Sequence, residues 1–317
     1  MANNKDCGFR TSIGGQALIE GILMRGPKKQ AIVCRTAEGL VEKVDELKLL
    51  KDKYPIFGWP FIRGCVTFID SMIKGMQALT YSAELVPVED QEPDKLDQWI
   101  EKHFEAEKAS KIVIGTAVVL GIALALFLFI FLPTLIVGLI KPLTQNLVIR
   151  NLSEGVVKII ILLAYMRLCC CVSDVKRLFS YHGAEHKTIR CYEAKLPLTV
   201  ENARQMTRLH PRCGTSFLFV VVILSILISA IFSAIWPVDN MLGRLGLTLL
   251  RLPLIVAIAY EFNRLVGRHD NKLTRFLSKP GMWLQLFTTQ EPDDSMLEVG
   301  IRALELVLPE HEGEDKW

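Results

Sequence analysis

Residues 112–140 read IVIGTAVVLGIALALFLFIFLPTLIVGLI, and no charged side chain interrupts them. An α-helix rises about 1.5 Å per residue, so ~20 apolar residues cross the hydrocarbon core of a bilayer, and this run has length to spare. Pro133 inside it predicts a kink or an early exit. A second uncharged run, Cys213–Val238, has the apolar body Phe217–Trp236 and reads as another span. Two weaker segments follow the same logic. Val156–Val172 carries Lys158 and Arg167 near its ends, where long side chains snorkel to the headgroups. Leu242–Phe262 carries Arg244 and Glu261 near its ends and Arg251 in the middle.

The distribution of basic residues tests the weaker segments. Lys95, Lys102, Lys108 and Lys111 precede the first span, whereas the next loop offers only Lys141 and Arg150. Eight basic residues, from Lys176 to Arg212, crowd the stretch 173–212; Pro237–Leu242 has none, and Asn263–Lys279 has five. This alternation requires four crossings, with both termini on the cytosolic side of the cell membrane. Arg251, at mid-span, has to face the bundle and find a partner other than Glu261, which lies roughly 15 Å along the same helix.

Composition agrees. Half of the 317 residues are hydrophobic, and mean hydropathy is +0.31. A net charge of +3 implies no nucleic-acid or other polyanionic partner; membrane lipid is the expected neighbour. Eight cysteines at irregular spacing form no disulfide framework and suit a reducing cytosolic side. The run Cys169–Cys171 is read as small apolar packing in preference to palmitoylation. The opening MANNKDCGFRTSIGGQ is expected to be neither a signal peptide nor a myristoylation site.

The fold class is therefore mainly α: a polytopic membrane protein with about four transmembrane helices and a small β-containing N-terminal cytosolic region. Residues 1–111 form that region, 112–262 the membrane part (spans 112–140, 156–172, 217–236 and 242–262, with a cytosolic motif loop at 173–216), and 263–317 a cytosolic tail. Ala31–Thr36 and Leu40–Leu47 alternate around Ala-Glu-Gly and predict a β-hairpin. Phe57–Leu79 is amphipathic, with Phe61, Phe68, Met72 and Met76 at helical spacing; packing on the bundle is preferred to lying in the membrane interface. Thr289–Asp294, with Pro292 and its acids, predicts the N-terminus of a helix over Ser295–Val307.

Four motifs carry chemistry. In YHGAEHKTIRCYE (Tyr181–Glu193), His182 and His186 are four apart, so on a helix they share a face and can chelate one divalent ion. Glu185 beside them is a candidate general base, and H-x-x-E-H is the spacing of a class of zinc peptidases. Gly183 weakens a helix there by about 1 kcal/mol. LHPRCGTSF (Leu209–Phe217) places His210 and Cys213 three apart, just before a span. All four together make a closed structural site, and three histidines plus water an open catalytic one. Ile13–Pro27 (IGGQALIEGILMRGP) does not match the phosphate-binding loop pattern; its glycines suit turns, and Gln16, Glu20 and Arg25 supply polar groups, Glu20 as a ligand or base. In the fourth, Trp283–Asp294, capping is preferred to metal binding.

GGQALIEGILMRGP, YHGAEHKTI, HPRCGTSF and WLQLFTTQEPDDSMLEVGI together resemble the YqhQ-like family of bacterial membrane proteins, from about Ser12 to Leu304. That family is a domain of unknown function often labelled a metal-dependent enzyme. The resemblance implies a membrane location and places motif residues on Glu20, Arg25, His182, Glu185, His186, His210, Arg212 and Cys213. It supplies no substrate.

The function expected first is a metal-dependent enzyme, a hydrolase in which His182 and His186 bind zinc with His210 or Cys213, and Glu185, with Glu20 and Arg25, serves catalysis on a membrane peptide or lipid-linked substrate. The alternative is a non-enzymatic transporter or assembly factor whose polar loop docks a partner. Intramembrane Lys158, Arg167 and Arg251 favour transport; the lack of paired broken helices and inverted repeats disfavours a secondary carrier.

Overall fold

A computed structural model describes residues 9–48, 50–85, 106–140, 147–236, 238, 240–269, 271–311 and 313–316. Four strands come first: β1 (Gly14–Leu18), β2 (Gly21–Arg25), β3 (Lys29–Thr36) and β4 (Gly39–Glu46). The helices follow as α1 (Leu50–Lys53), α2 (Ile62–Leu85), α3 (Ala106–Leu126), α4 (Leu132–Ile140), α5 (Leu147–Cys169) and α6 (Ser173–Glu193), then α7 (Val200–Arg204), α8 (Gly214–Ile235), α9 (Met241–Arg268), α10 (Lys272–Thr288) and α11 (Asp294–Glu305). The chain is mainly helical with a small N-terminal antiparallel sheet.

The chain divides into two compact units, one of 1–86, 164–225 and 252–317, the other of 87–163 and 226–251. In the first, the strands form a meander in the order β1-β2-β3-β4. The expected hairpin is β3–β4, closed at Thr36↔Gly39, where Gly39 takes the positive φ (128°) that a side chain disfavours. The glycine-studded segment ahead of it is a second hairpin, β1–β2, rather than a string of turns. Its strand character is masked because the sheet is covered on both faces, so Ile22, Leu23 and Met24 are all buried and no polar residue alternates with them. Ile22, Met24, Ala31 and Val33 pack with Tyr181 and Ala184 of α6 and with Leu297, Ile301 and Leu304 of α11. Leu23, Ile32 and Cys34 pack on the other side with Ala78 of α2.

Helix α2 reverses the expectation for its apolar stripe. Phe61, Phe68, Met72 and Met76 are exposed, and the small residues Gly64, Gly75, Ala78 and Ser82 make the buried face. A Cβ on Gly64 would stand 2.9 Å from Tyr260 Cβ, so only glycine permits this approach to α9.

The stretch 173–216, expected as a loop, contains the 21-residue helix α6 and the short α7. Gly183 does not break α6 because the neighbouring backbone needs its missing side chain: a Cβ there would collide with the Gln290 carbonyl oxygen. The predicted C-terminal helix is α11, with Asp293 as its N-cap accepting from Met296 N at 3.0 Å, so Pro292 precedes the cap instead of sitting in the first turn.

Three helical segments are long and apolar enough to cross a membrane: Gly115–Leu139, Gly214–Phe232 and Leu245–Arg268. A fourth counts if Ile149–Cys169 and Ser173–Glu193, bent by 99° at 170–172, are taken together. The helix over the expected span 156–172 is α5, which runs Leu147–Cys169. With Asp174, Lys176, Arg177, Lys187, Arg190 and Glu193 along it, α6 is too charged for hydrocarbon, and α5 is the more apolar arm of the pair.

In the second unit, Pro133 follows a π-helical turn at Phe127–Phe131, after which the helix continues to Ile140 instead of exiting. A missing N–H in mid-helix is a standard cause of such a widened turn. Lys158 is buried and pairs with Glu154 at 3.0 Å one turn away, rather than snorkelling. Arg251 is 7% exposed; its Nε donates to the Leu247 carbonyl at 2.8 Å, and its guanidinium lies 5.5 Å from the centre of the Phe232 ring.

Candidate metal centre

Helix α6 sets the site because its inner face, from Tyr181 to Cys191, packs against the sheet and α11. His182 and His186 stand one turn apart on it, ring centres 4.4 Å from each other. Cys213, immediately before α8, brings Sγ to 3.2 Å from His182 Nε2. One ligand atom each from His182, His186 and Cys213 lie within 4.8 Å of one another; among the described residues this is the group able to hold a metal ion.

Both rings are oriented from behind. His182 Nδ1 is 2.8 Å from the Thr288 carbonyl and His186 Nδ1 is 2.5 Å from the Arg208 carbonyl. A carbonyl only accepts, so each Nδ1 carries the proton, and in a neutral imidazole Nε2 then presents a lone pair. His186 Nε2 is buried without a hydrogen-bond partner, and so is Glu185 Oε2; Glu185 Oε1 accepts from Gly15 N at 3.1 Å. Buried polar atoms are rarely left unpaired, so both atoms have capacity for a further contact.

Burial pushes the Glu185 carboxyl up to about 7, with His182 opposing and Cys213 adding to the rise. Burial pulls His186 down to about 4, which keeps it neutral and able to ligate. For Cys213, burial works against the thiolate, but His186 and Thr215 outweigh it and hold the thiol below its usual value.

His210, expected as a further ligand, is placed elsewhere. Its Nε2 lies 3.3 Å from Glu193 Oε2, while Arg212 pairs with the other Glu193 oxygen, which also accepts from Thr11 N at 3.1 Å. Burial, then Arg190 and Arg10, hold His210 at about 3, so it is a neutral donor to Glu193 and its Nε2 is already engaged. Its ring lies 5.6 Å from that of His186. Glu20 sits at the tip of the β1–β2 hairpin with φ 49°, bound to Arg177 and to the Tyr181 hydroxyl at 3.0 Å. Arg25 reaches Ser71 Oγ at 3.3 Å, with its Nε and Nη2 buried and unpartnered. Neither belongs to the His182–His186–Cys213 group.

Three supporting residues carried no role in the sequence reading. Gln285 is fully buried and clamps the His210 backbone; Glu193 closes the arginine–histidine network; Thr288 orients His182. All three lay inside quoted motifs, which was the available signal.

The chain belongs to the DUF1385 family, described as proteins of unknown function, whose model matches residues 59–310. The resemblance read from the motifs is thereby borne out, although Ile13–Pro27 lies ahead of the matched region. One relative is the uncharacterized protein YqhQ of Bacillus subtilis (strain 168), 32% identical over 301 residues, covering 93% of this chain and 92% of that protein. No solved structure matches the chain.

Proposed function

We propose that this protein is a membrane-embedded, metal-dependent enzyme, a hydrolase working at the cytosolic membrane face. His182, His186 and Cys213 would hold one divalent ion, and two imidazoles with a thiolate suit zinc. The observation that carries this reading is the pair of Nδ1–carbonyl bonds, which turn both Nε2 lone pairs toward Cys213. Three protein ligands leave a coordination position open, and a bound zinc supplies there a water acidified toward ~7. Glu185 is the proton carrier: burial holds it near neutrality, and its Oε2 has no competing partner. Gly15 N fixes the other oxygen, so the free one keeps a single orientation. The alternation of basic loops supports four crossings with both termini and α6 on the cytosolic side.

Metal analysis of the full chain, purified without chelators, is the direct test. Near one zinc per chain is expected, with large losses in His182→Ala, His186→Ala and Cys213→Ser. Glu185→Gln should keep the metal and abolish the cellular role. A folded wild-type chain that takes up no divalent metal on titration would overturn the proposal.

A further inference from the structure

Beside Cys213 lies a half-open cleft of about 260 Å³, between the start of α8, the end of α9 and α10. Its lining is divided. Arg212, Cys213, Asn263 and Arg264 give one polar side, whereas Phe217, Val220, Val266 and Leu277 give an apolar one.

The polar side presents two arginines, Arg212 and Arg264. Arg10 and Arg190 lie within electrostatic reach of Arg212, and Arg63 and Arg268 within reach of Arg264. Two nearby carboxylates among the described residues are already engaged. Glu193 binds Arg212 and His210, and Glu261 accepts from Arg63 at 2.5 and 2.7 Å and from Phe61 N at 3.3 Å. Among the described residues none accepts a hydrogen bond from Arg264. The first turn of α8, at Gly214, adds the positive end of a 22-residue helix.

The apolar side continues outward. Helix α10, which lines the cleft with Leu277 and Gly281, exposes Leu273, Phe276 and Trp283; Phe217 touches Phe68 of α2, whose stripe is exposed as well. A ligand with a hydrocarbon chain would thus meet apolar surface both in the cleft and at its edge. The volume lies just under the roughly 300–1,000 Å³ of ordinary ligand sites, enough for a headgroup and the first part of a chain.

We propose that this cleft binds an anionic, phosphate-bearing amphiphile, its head against Arg212 and Arg264 and its chain along Phe217, Val220 and Leu277. The inference rests on reading Cys213 as part of a metal site, and names the substrate class for that site: a lipid or lipid-linked phosphate whose head lies beside the metal.

The test uses the full chain in dodecyl maltoside and hexyl phosphate as the probe, followed by calorimetry, with zinc content measured on the same samples. Hexyl phosphate should bind at least about tenfold more tightly than inorganic phosphate or hexanol, since head and chain both contribute. Arg264→Gln should weaken it about tenfold. Leu277→Trp should weaken hexyl phosphate and leave inorganic phosphate unchanged. Inorganic phosphate binding as tightly as hexyl phosphate would make this a free-phosphate site. Equal binding of hexanol, or of hexaglutamate, would make it a plain apolar groove or a peptide site. Any of these overturns the proposal, as does unchanged binding in Arg264→Gln. Zinc-loaded chain without hexyl phosphate binding removes the cleft alone; hexyl phosphate binding by a chain that takes up no zinc removes the metal reading and keeps the cleft.

Discussion

Gln285 holds His210 by both of its backbone polar groups: Oε1 accepts from His210 N at 2.8 Å, and Nε2 donates to the His210 carbonyl at 2.7 Å. The same amide reaches Ser216 Oγ at 3.1 Å, so one fully buried side chain pins the segment carrying Cys213 to α10. Replacing Gln285 by Leu leaves two buried backbone groups unpaired, at about 1–3 kcal/mol each. The expected outcome is a lower unfolding midpoint and, if the proposed zinc site is correct, about 10–100-fold weaker zinc binding, although Gln285 is not in the His182–His186–Cys213 group. Gln285→Glu, which keeps the acceptor, should fall between Leu and wild type. A zinc titration of the three chains checks the order.

Gly183 should not tolerate even alanine. The added methyl would meet the Gln290 carbonyl, which cannot swing away as a long side chain can. Helix propensity alone would favour Gly183→Ala by about 1 kcal/mol, so the expected destabilisation of about 1–3 kcal/mol has the opposite sign and is diagnostic. Thermal unfolding of the detergent-solubilised variant reads it directly.

Acid should weaken the fold partly through His210. Its pKa is about 3 in the native chain against about 6.5 when unfolded. The unfolded state therefore binds the extra proton first, and this contribution is complete above pH ~6.5 and lost as pH falls toward 3. Glu185, raised to about 7, acts in the opposite direction, its ionisation costing stability as pH rises from ~4.5 to 7. The comparison of wild type with His210→Gln isolates the histidine. Between pH 7 and 5 the unfolding midpoint of the variant should fall less steeply, and equal slopes would remove His210 from the account.

Glu20 offers a contrast with Glu185. Its carboxylate is engaged by Arg177, itself about half exposed, and by the Tyr181 hydroxyl. Gln keeps an acceptor for Tyr181 and Arg177, so Glu20→Gln should cost about 1 kcal/mol and leave the metal uptake and cellular role of the proposed site in place. Loss of the role with zinc and stability intact would make Glu20 a participant in catalysis.

What was legible in the sequence followed local physics. Apolar runs marked α3, α8 and α9, alternation marked β3–β4, and an acidic cap marked α11. The pairing of His182 with His186 followed from helical spacing, and their meeting with Cys213 from their shared place in the stretch 173–216. What escaped depended on distant partners. β2 hides its period because both faces are covered, and α6 contains a glycine whose reason lies at Gln290. The engagement of His210 with Glu193, and of both ring Nδ1 atoms with carbonyls, joins residues that no periodicity links.

The Thr288 carbonyl that orients His182 also fixes an order of events during synthesis. Thr288 lies 106 positions after the ring it steadies, and Gly15, which fixes Glu185, lies 170 positions before it. When the ribosome has made both histidines and Cys213, the carbonyl that orients His182 Nδ1 has not yet been translated. If the group holds a metal as proposed, capture in the oriented geometry would be a late event, following release and folding back of the C-terminal third. A chain cut short before residue 288 would carry every ligand and still bind poorly, and such unfinished products would be told apart from complete ones by their empty centres.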